Sequence, residues 1–294
     1  MSFRSGFVSV IGRPNVGKST LINRLIGEKI SIISPRPQTT RNRIHAICTR
    51  EQGQIVFVDT PGIYIPRDEL DEYMVDQAYR SLKGIDVILF IVDGNSSIRK
   101  GDRVIYQQLK GAKPPLLIVM NKIDRVKGDL LQKRQQQYSR EFNREVMPIS
   151  AREGHNLELL EKEVFARLPE GPQYYPEDMI TDRIERFIVA EIIREKIFYL
   201  LREEVPYGVA VVIEEFKTRD KGNIYLRANI YVEQKSHKGI VIGKNGSMLK
   251  KIGQQARQDI EDLLQTDTYL DLWVKVKQDW REDKQFLKRL GYKE

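Results

Sequence analysis

The sequence predicts an α/β chain of two domains, a mostly parallel sheet with helices on both faces followed by a smaller α+β domain. Three observations carry this. From Phe7 to Ile149, short apolar runs of strand length alternate with segments whose apolar residues recur at helical spacing. Leu168–Asp178 then interrupts the pattern with Pro169, Gly171, Pro172 and Pro176, the composition of a linker. Beyond it the order changes to helix, strand, strand, helix, strand. A length of 294 residues suits two such domains; the expected division is 1–168, a linker over 169–180, and 181–294.

The first element sets the chemistry. Phe7–Ile11 reads as a buried strand, and Thr20–Ile26 as a helix with Leu21, Ile22, Leu25 and Ile26 on one face. Between them stands Gly12-Arg13-Pro14-Asn15-Val16-Gly17-Lys18-Ser19, a G-x-x-x-x-G-K-S loop in the strand-to-helix setting that turns the pattern into a phosphate cradle. Gly12 and Gly17 let successive N–H groups point inward, and the helix N-terminus adds partial positive charge. Lys18 is placed to reach the β- and γ-phosphates, and the Ser19 hydroxyl to ligate Mg²⁺.

Ser34–Arg43, with Pro35, Pro37 and a polar, basic run, is expected to be a mobile loop. Ile44–Arg50 and Gln54–Val58 read as a hairpin that ends in Asp59-Thr60-Pro61-Gly62. There a carboxylate at a strand's carboxyl end can hold Mg²⁺, and the Gly62 N–H can meet a γ-phosphate. Asp71–Lys83 and Asp102–Lys110 are expected helices, and Val87–Asp93 and Leu116–Met120 buried strands. The last of these delivers Asn121-Lys122-Ile123-Asp124 at its carboxyl end, where ligands sit in open α/β sheets. The chemistry of that tetrapeptide points to guanine. Asp124, an acceptor, can take N1–H and the exocyclic amine, which adenine cannot offer together; Asn121 can bond the N7/O6 edge and the Lys122 stem can cover the ring. A helix near Leu130–Phe142, a strand over Val146–Ile149, Ser150-Ala151 with N–H groups for guanine O6, and a helix over Leu157–Arg167 complete the domain.

In the second domain, Thr181 is expected to cap a helix running to Leu201, followed by strands Val209–Glu215 and Ile224–Val232 joined at Lys221-Gly222-Asn223. An apolar Ile240-Val241-Ile242 turn leads into Gly243-Lys244-Asn245-Gly246, a helix from Ser247 to Leu264, a strand over Tyr269–Val276, and a short helix over Asp283–Leu290.

Composition narrows the classes. No window approaches eighteen apolar residues, so no transmembrane helix is expected, and the N-terminus resembles no signal peptide. One cysteine, Cys48, excludes an internal disulfide and a cysteine metal cluster, and makes the cytoplasm the expected compartment. The net charge of +8 lies in residues 1–168, where 27 Lys and Arg face 19 Asp and Glu, whereas 169–294 hold 22 of each. Locally the second half is still basic: no acid stands between Glu233 and Asp259, while Lys235, Lys238, Lys244, Lys250, Lys251 and Arg257 do. Two other classes fit less well. A metabolic or RNA-modifying enzyme needs a second catalytic constellation, and His45, His155 and His237 are scattered. A non-hydrolysing scaffold with a degenerate pocket is disfavoured by Lys18, Ser19 and Asp59.

Five motifs in this order and spacing resemble those of the translation-factor-related GTPases. Asn15 and Thr39-Thr40-Arg41 resemble the TrmE–Era–EngA group. That resemblance implies a P-loop GTPase domain, with Thr39 or Thr40 ligating Mg²⁺ when GTP is bound (Thr40, directly before Arg41, is preferred) and Asn15 helping to hold K⁺. Ile63 stands where Ras-like proteins carry the glutamine that orients water, so slow intrinsic hydrolysis is expected. Catalysis then rests on Lys18, Thr40, Asp59 and Gly62. Gly243–Gly246, between an apolar turn and a helix, resembles the loop of a type II KH domain. By that resemblance Lys235, Lys238, Ile240, Ile242, Gly243, Lys244, Asn245, Gly246, Lys250 and Lys251 bind RNA. A GTPase of this group joined to a C-terminal KH domain is similar over essentially the whole chain to one branch of the group. That branch implies binding to the 3′ end of small-subunit ribosomal RNA, a role in small-subunit maturation, and loose association with the membrane.

Overall fold

The computed structural model describes residues 2–28, 30–32, 39–219 and 222–292. Ser34–Gln38 of the expected mobile loop and Lys221 of the expected turn lie outside them. In chain order the first part comprises β1 (Arg4–Gly12), α1 (Lys18–Ile26), β2 (Ile44–Arg50), β3 (Gly53–Asp59), α2 (Glu69–Arg80), β4 (Val87–Asp93), α3 (Lys100–Leu109), β5 (Leu116–Asn121), α4 (Leu130–Phe142), β6 (Val146–Pro148) and α5 (Leu157–Phe165). The second comprises α6 (Glu185–Leu200), β7 (Ala210–Thr218), β8 (Ile224–Val232), α7 (Lys235–Ile242), α8 (Ser247–Leu264), β9 (Thr268–Val276) and α9 (Lys284–Arg289). Contacts divide the chain into two units, one of Met1–Ser31, Thr40–Pro66 and Met74–Asp182, the other of Ile32–Thr39, Arg67–Tyr73 and Arg183–Glu294.

The first unit is built on a six-stranded sheet in the order β2-β3-β1-β4-β5-β6, parallel throughout except for the β2–β3 hairpin. Every residue of β3 is buried, as are the first six of β4, which is why these strands are near-continuous apolar runs rather than alternating ones. β1 lies between β3 and β4. Strand order therefore changes direction at its carboxyl end, and the crevice formed there is where ligands bind in this class of sheet. The loop Gly12–Ser19 leaves β1 at that point.

Leu168–Asp178 does not hang free. Ser5 N donates to the Pro169 carbonyl at 3.1 Å, Gly171 N to Phe3 at 3.1 Å, and the buried Gln54 side chain accepts from Tyr174 N and Tyr175 N at 2.9 and 3.0 Å. The segment belongs by these bonds to the first unit. Thr181 likewise pairs with Ala46 across an isolated bridge, so it is not the cap of α6; Ile184 holds that position.

In the second unit, β7-β8-β9 form one sheet, antiparallel between β7 and β8 and parallel between β8 and β9. The parallel pair is connected through α7 and α8, the crossover that parallel strands require. The core beneath the sheet gathers Val189, Ile192, Ile193 and Ile197 of α6 with Ala228 and Ile230 of β8 and Ile252, Ala256 and Ile260 of α8. Each fully buried aliphatic side chain stabilises the unit by about 1.5–3 kcal/mol. Residues 240–242 are not a turn but the last turn of α7, held inward by the fully buried Val241. Among the described residues no helix is long and apolar enough to cross a membrane.

Candidate nucleotide and nucleic-acid sites

At the mouth of β1 the first unit brings together four stretches far apart in sequence. Asn121, at the end of β5, is 2 % exposed and fully engaged: its Nδ2 donates to the Val16 carbonyl at 2.9 Å, and its Oδ1 accepts from Lys122 N at 2.7 Å and Ala151 N at 2.9 Å. One amide thus fixes the phosphate loop, its own turn and the Ser150-Ala151 turn against each other. Lys122 adopts φ 67° and donates through Nζ to the Asn15 carbonyl and, at 2.8 Å, to Asp93 Oδ2. Ser150 Oγ donates to Asp124 Oδ1 at 2.7 Å and holds that carboxylate in place.

The phosphate end is equally ordered. Lys18 is 7 % exposed and donates to the Gly12 and Arg13 carbonyls, both at 3.3 Å. Ser19 Oγ lies 3.0 Å from Asp59 Oδ2 and 3.1 Å from Thr40 Oγ1. Burial lowers the Lys18 ammonium to about 8, with Asp59 pulling the other way. Burial also raises the Asp59 carboxyl, opposed by Lys18. Asp59 Oδ1 is buried and accepts no hydrogen bond. A carboxylate oxygen in want of a partner beside two hydroxyls is the donor set a hard divalent cation takes when phosphate oxygens and water complete its shell. The residues present therefore fit Mg²⁺. Thr60 Oγ1 donates to the Val10 carbonyl at 3.0 Å and ties this turn to β1. Gly62 passes so close to the phosphate loop that a Cβ there would sit 2.7 Å from Pro14 N. Ile63 is buried among Ile11, Ala78 and Ile88, turned into the core.

Two residues that the sequence reading missed complete the site. Asp93 anchors Lys122, and the fully buried Asp102 accepts from Arg13 Nε at 2.6 Å and from Arg99 N at 2.9 Å, tying the phosphate loop to the start of α3. The only sequence signal for Asp93 was its place at the carboxyl end of a buried strand.

The second unit carries the other candidate. α7 ends at Ile242; Gly243 turns the chain at φ 73°, where a Cβ would meet Met248 Cβ at 2.7 Å and Met248 N at 2.8 Å. Positive φ and close approach together demand glycine. Lys244, Asn245 and Gly246 form a short turn, and α8 starts at Ser247 with its N-terminus on that turn. Lys235, Lys244, Lys250 and Lys251 are exposed and Lys238 half-buried around it. Ile240 is 48 % exposed, whereas Ile242 is half-buried and packs against the core, so of the two isoleucines Ile240 presents the freer apolar surface. Asn245 takes φ 51° at the tip.

Comparison with known proteins gives a family for each part of the chain. Residues 7–122 match the family described as a 50S ribosome-binding GTPase, and residues 204–281 match the KH domain. The chain is 62 % identical over 293 residues to the GTPase Era of Halothermothrix orenii, covering 100 % of each. It is 42 % identical to a variant of Aquifex aeolicus Era solved with GDP and AlF₄⁻, with a TM-score of 0.96 over 99 % of this chain and 100 % of that one. Identity, coverage and TM-score are the same for an Era solved with MgGDPNP and nucleotides 1506–1542 of 16S ribosomal RNA.

Proposed function

The chain belongs to the GTPase Era family, and from that membership and the two sites we propose a GTP-hydrolysing switch that binds the 3′ end of small-subunit ribosomal RNA and acts in small-subunit assembly. The GTPase work is assigned to the first unit and the RNA to the second. The observation that carries the proposal is the convergence on Asn121, whose one amide aligns the loop for phosphate with the two turns for guanine.

The residues divide the task by their chemistry. Asp124, oriented by Ser150, accepts from the guanine N1–H and amine. The loop N–H groups and Lys18 take the phosphates. Mg²⁺ would be held by Ser19, Thr40 and Asp59, and supplies charge neutralisation at the phosphate oxygens. Gly62, packed on Pro14, brings its N–H to the γ-phosphate side of the loop. With Ile63 turned into the core, no side chain at that position orients water, so intrinsic turnover is slow and waits on a cation such as K⁺ beside Asn15, a partner or RNA to complete the site.

RNA is assigned to the Gly243–Gly246 loop. The glycines let a backbone approach, Lys244 and the start of α8 offset its phosphates, and Ile240 offers an apolar edge for unpaired bases. The matched family description names the large subunit, but it spans only residues 7–122, which exclude the KH domain. The Era solved with a fragment of 16S ribosomal RNA matches 99 % of this chain and is the better guide to the RNA. The test is equilibrium binding of an RNA with the small-subunit 3′-end sequence, with Mg²⁺ and a non-hydrolysable GTP analogue. Binding that is lost in G243D is expected; binding that is indifferent to G243D sends the RNA elsewhere on the chain.

A further inference from the structure

The sheet of the second unit has two faces, and the RNA reading uses only the one that α7 and α8 cover. β9 is an edge strand that pairs with β8 in register, Tyr225 opposite Tyr269, Arg227 opposite Asp271, Asn229 opposite Trp273 and Tyr231 opposite Lys275. Side chains alternate along a strand. Leu272 and Val274 therefore point toward the helices and the core, and Tyr269, Asp271, Trp273 and Lys275 point the other way. On that outer face Tyr269 is 60 % and Trp273 56 % exposed, an unusual outlay of large aromatic surface for a strand edge.

These rings are organised rather than scattered. Tyr225 and Tyr269 stack with centroids 5.9 Å apart and planes 17° apart. The Arg219 guanidinium lies 4.6 Å from the Tyr225 centroid and 5.3 Å from that of Tyr269. Asp271 Oδ2 accepts from the Trp273 indole at 2.9 Å and from the Tyr225 hydroxyl at 3.3 Å, which pins both polar edges. Of the other carboxylates on this face, Glu215 is engaged by Lys217 and Arg227, and Glu214 accepts from the Asn229 amide at 2.6 Å. All three acids are thus committed to local partners, and the four cations Lys217, Arg219, Arg227 and Lys275 outnumber them by one.

We propose that this outer face, with Tyr269, Trp273 and Arg219 at its centre, is a second binding surface for single-stranded RNA, on which bases stack after the strand leaves the Gly243–Gly246 groove. It rests on the RNA reading of that groove and extends it. Three features select the occupant. Exposed aromatics interleaved with cations are how proteins hold unpaired nucleic acid without reading its sequence, each base stacking on a ring and each phosphate finding a cation. The charge balance favours a polyanion. The groove and this face also share one strand, since α7 and α8 pack on the inner side of β9, whose outer side carries Tyr269 and Trp273. A chain of nucleotides longer than the about four that such a groove clamps can reach the outer face by crossing the β9 edge.

The test uses the full chain with two unstructured RNAs from the small-subunit 3′ end, one about twelve nucleotides long and one cut to the about four nucleotides that fill the groove. In a Y269A/W273A variant the affinity ratio of long to short RNA is expected to fall about tenfold or more, and W273F is expected to keep most of it. Indole fluorescence adds a readout that folding does not mimic. Trp280 is fully buried, so long RNA should quench the Trp273 emission in the wild type and leave W273F unquenched. An unchanged ratio with no quenching overturns the proposal and leaves the face to a protein partner. Equal loss on both RNAs overturns it too, by making the aromatics supports of the groove. A wild-type chain that binds neither RNA overturns the groove reading itself.

Discussion

The Asn121 amide donates to the Val16 carbonyl at 2.9 Å, a bond across 105 positions of sequence that joins the turn assigned to guanine to the loop assigned to phosphate. On the proposed assignment, base recognition and phosphate binding are one mechanical assembly. Asn121→Ala leaves the Val16 carbonyl and the Lys122 and Ala151 N–H groups without their partner, each buried polar group costing about 1–3 kcal/mol. The expected result is a lower melting temperature and loss of guanine-nucleotide binding together. Asn121→Asp keeps an acceptor for the two N–H groups but sets an oxygen against Val16, so it should retain more stability than Asn121→Ala while still binding nucleotide weakly. Thermal melts with fluorescent GDP titrations separate the two.

Base choice has its own test. Asp124→Asn exchanges an acceptor for a donor toward the exocyclic position of the purine, where xanthine carries a carbonyl instead of an amine. Preference should move from GTP toward XTP. Competition binding reads it, and an unchanged preference contradicts the guanine assignment.

Gly62 tests the packing of the two phosphate-facing turns. Gly62→Ala places a methyl 2.7 Å from Pro14 N, so one turn must yield by a fraction of an ångström. Displacements of about 1 Å at a reacting centre cost on the order of 100-fold in rate. Single-turnover GTP hydrolysis is expected to slow by up to that factor, with GDP affinity falling far less.

Cys48 reports on the first unit at alkaline pH. It is 2 % exposed, and burial pushes its thiol up to about 12, against about 8.5 in an unfolded chain. Between those values the unfolded chain has lost a proton that the folded one keeps. Stability therefore falls as pH rises through that window, by up to about 1.4 kcal/mol per pH unit from this group. Cys48→Ala removes that slope whatever it does to stability at neutral pH. Urea midpoints of both proteins near pH 8 and near pH 10 measure the difference, and the folded wild type should resist thiol reagents at neutral pH.

The motif residues were legible in the sequence because phosphate loops and guanine turns are local, and a few contiguous side chains after a strand define each. What was not legible came from pairing across the sheet. Asp93 meets Lys122 because β4 and β5 align Asp93 with Asn121, and Asp102 meets Arg13 because α3 returns to the β1 mouth. The stretch 169–178 has the composition of a linker, yet Gln54 and β1 supply partners for its backbone. α7 was missed for a different reason. Gly239 and the β-branched Ile240, Val241 and Ile242 are poor helix formers, and burial of Val241 and His237 overrides that preference.

GTP hydrolysis in K⁺ buffer with Mg²⁺, with and without RNA of the small-subunit 3′-end sequence, decides whether the protein is one RNA-responsive GTP switch. RNA is expected to accelerate hydrolysis, and the acceleration to disappear in G243D/G246D. A wild-type rate that is the same with saturating RNA and without it contradicts an RNA-responsive switch.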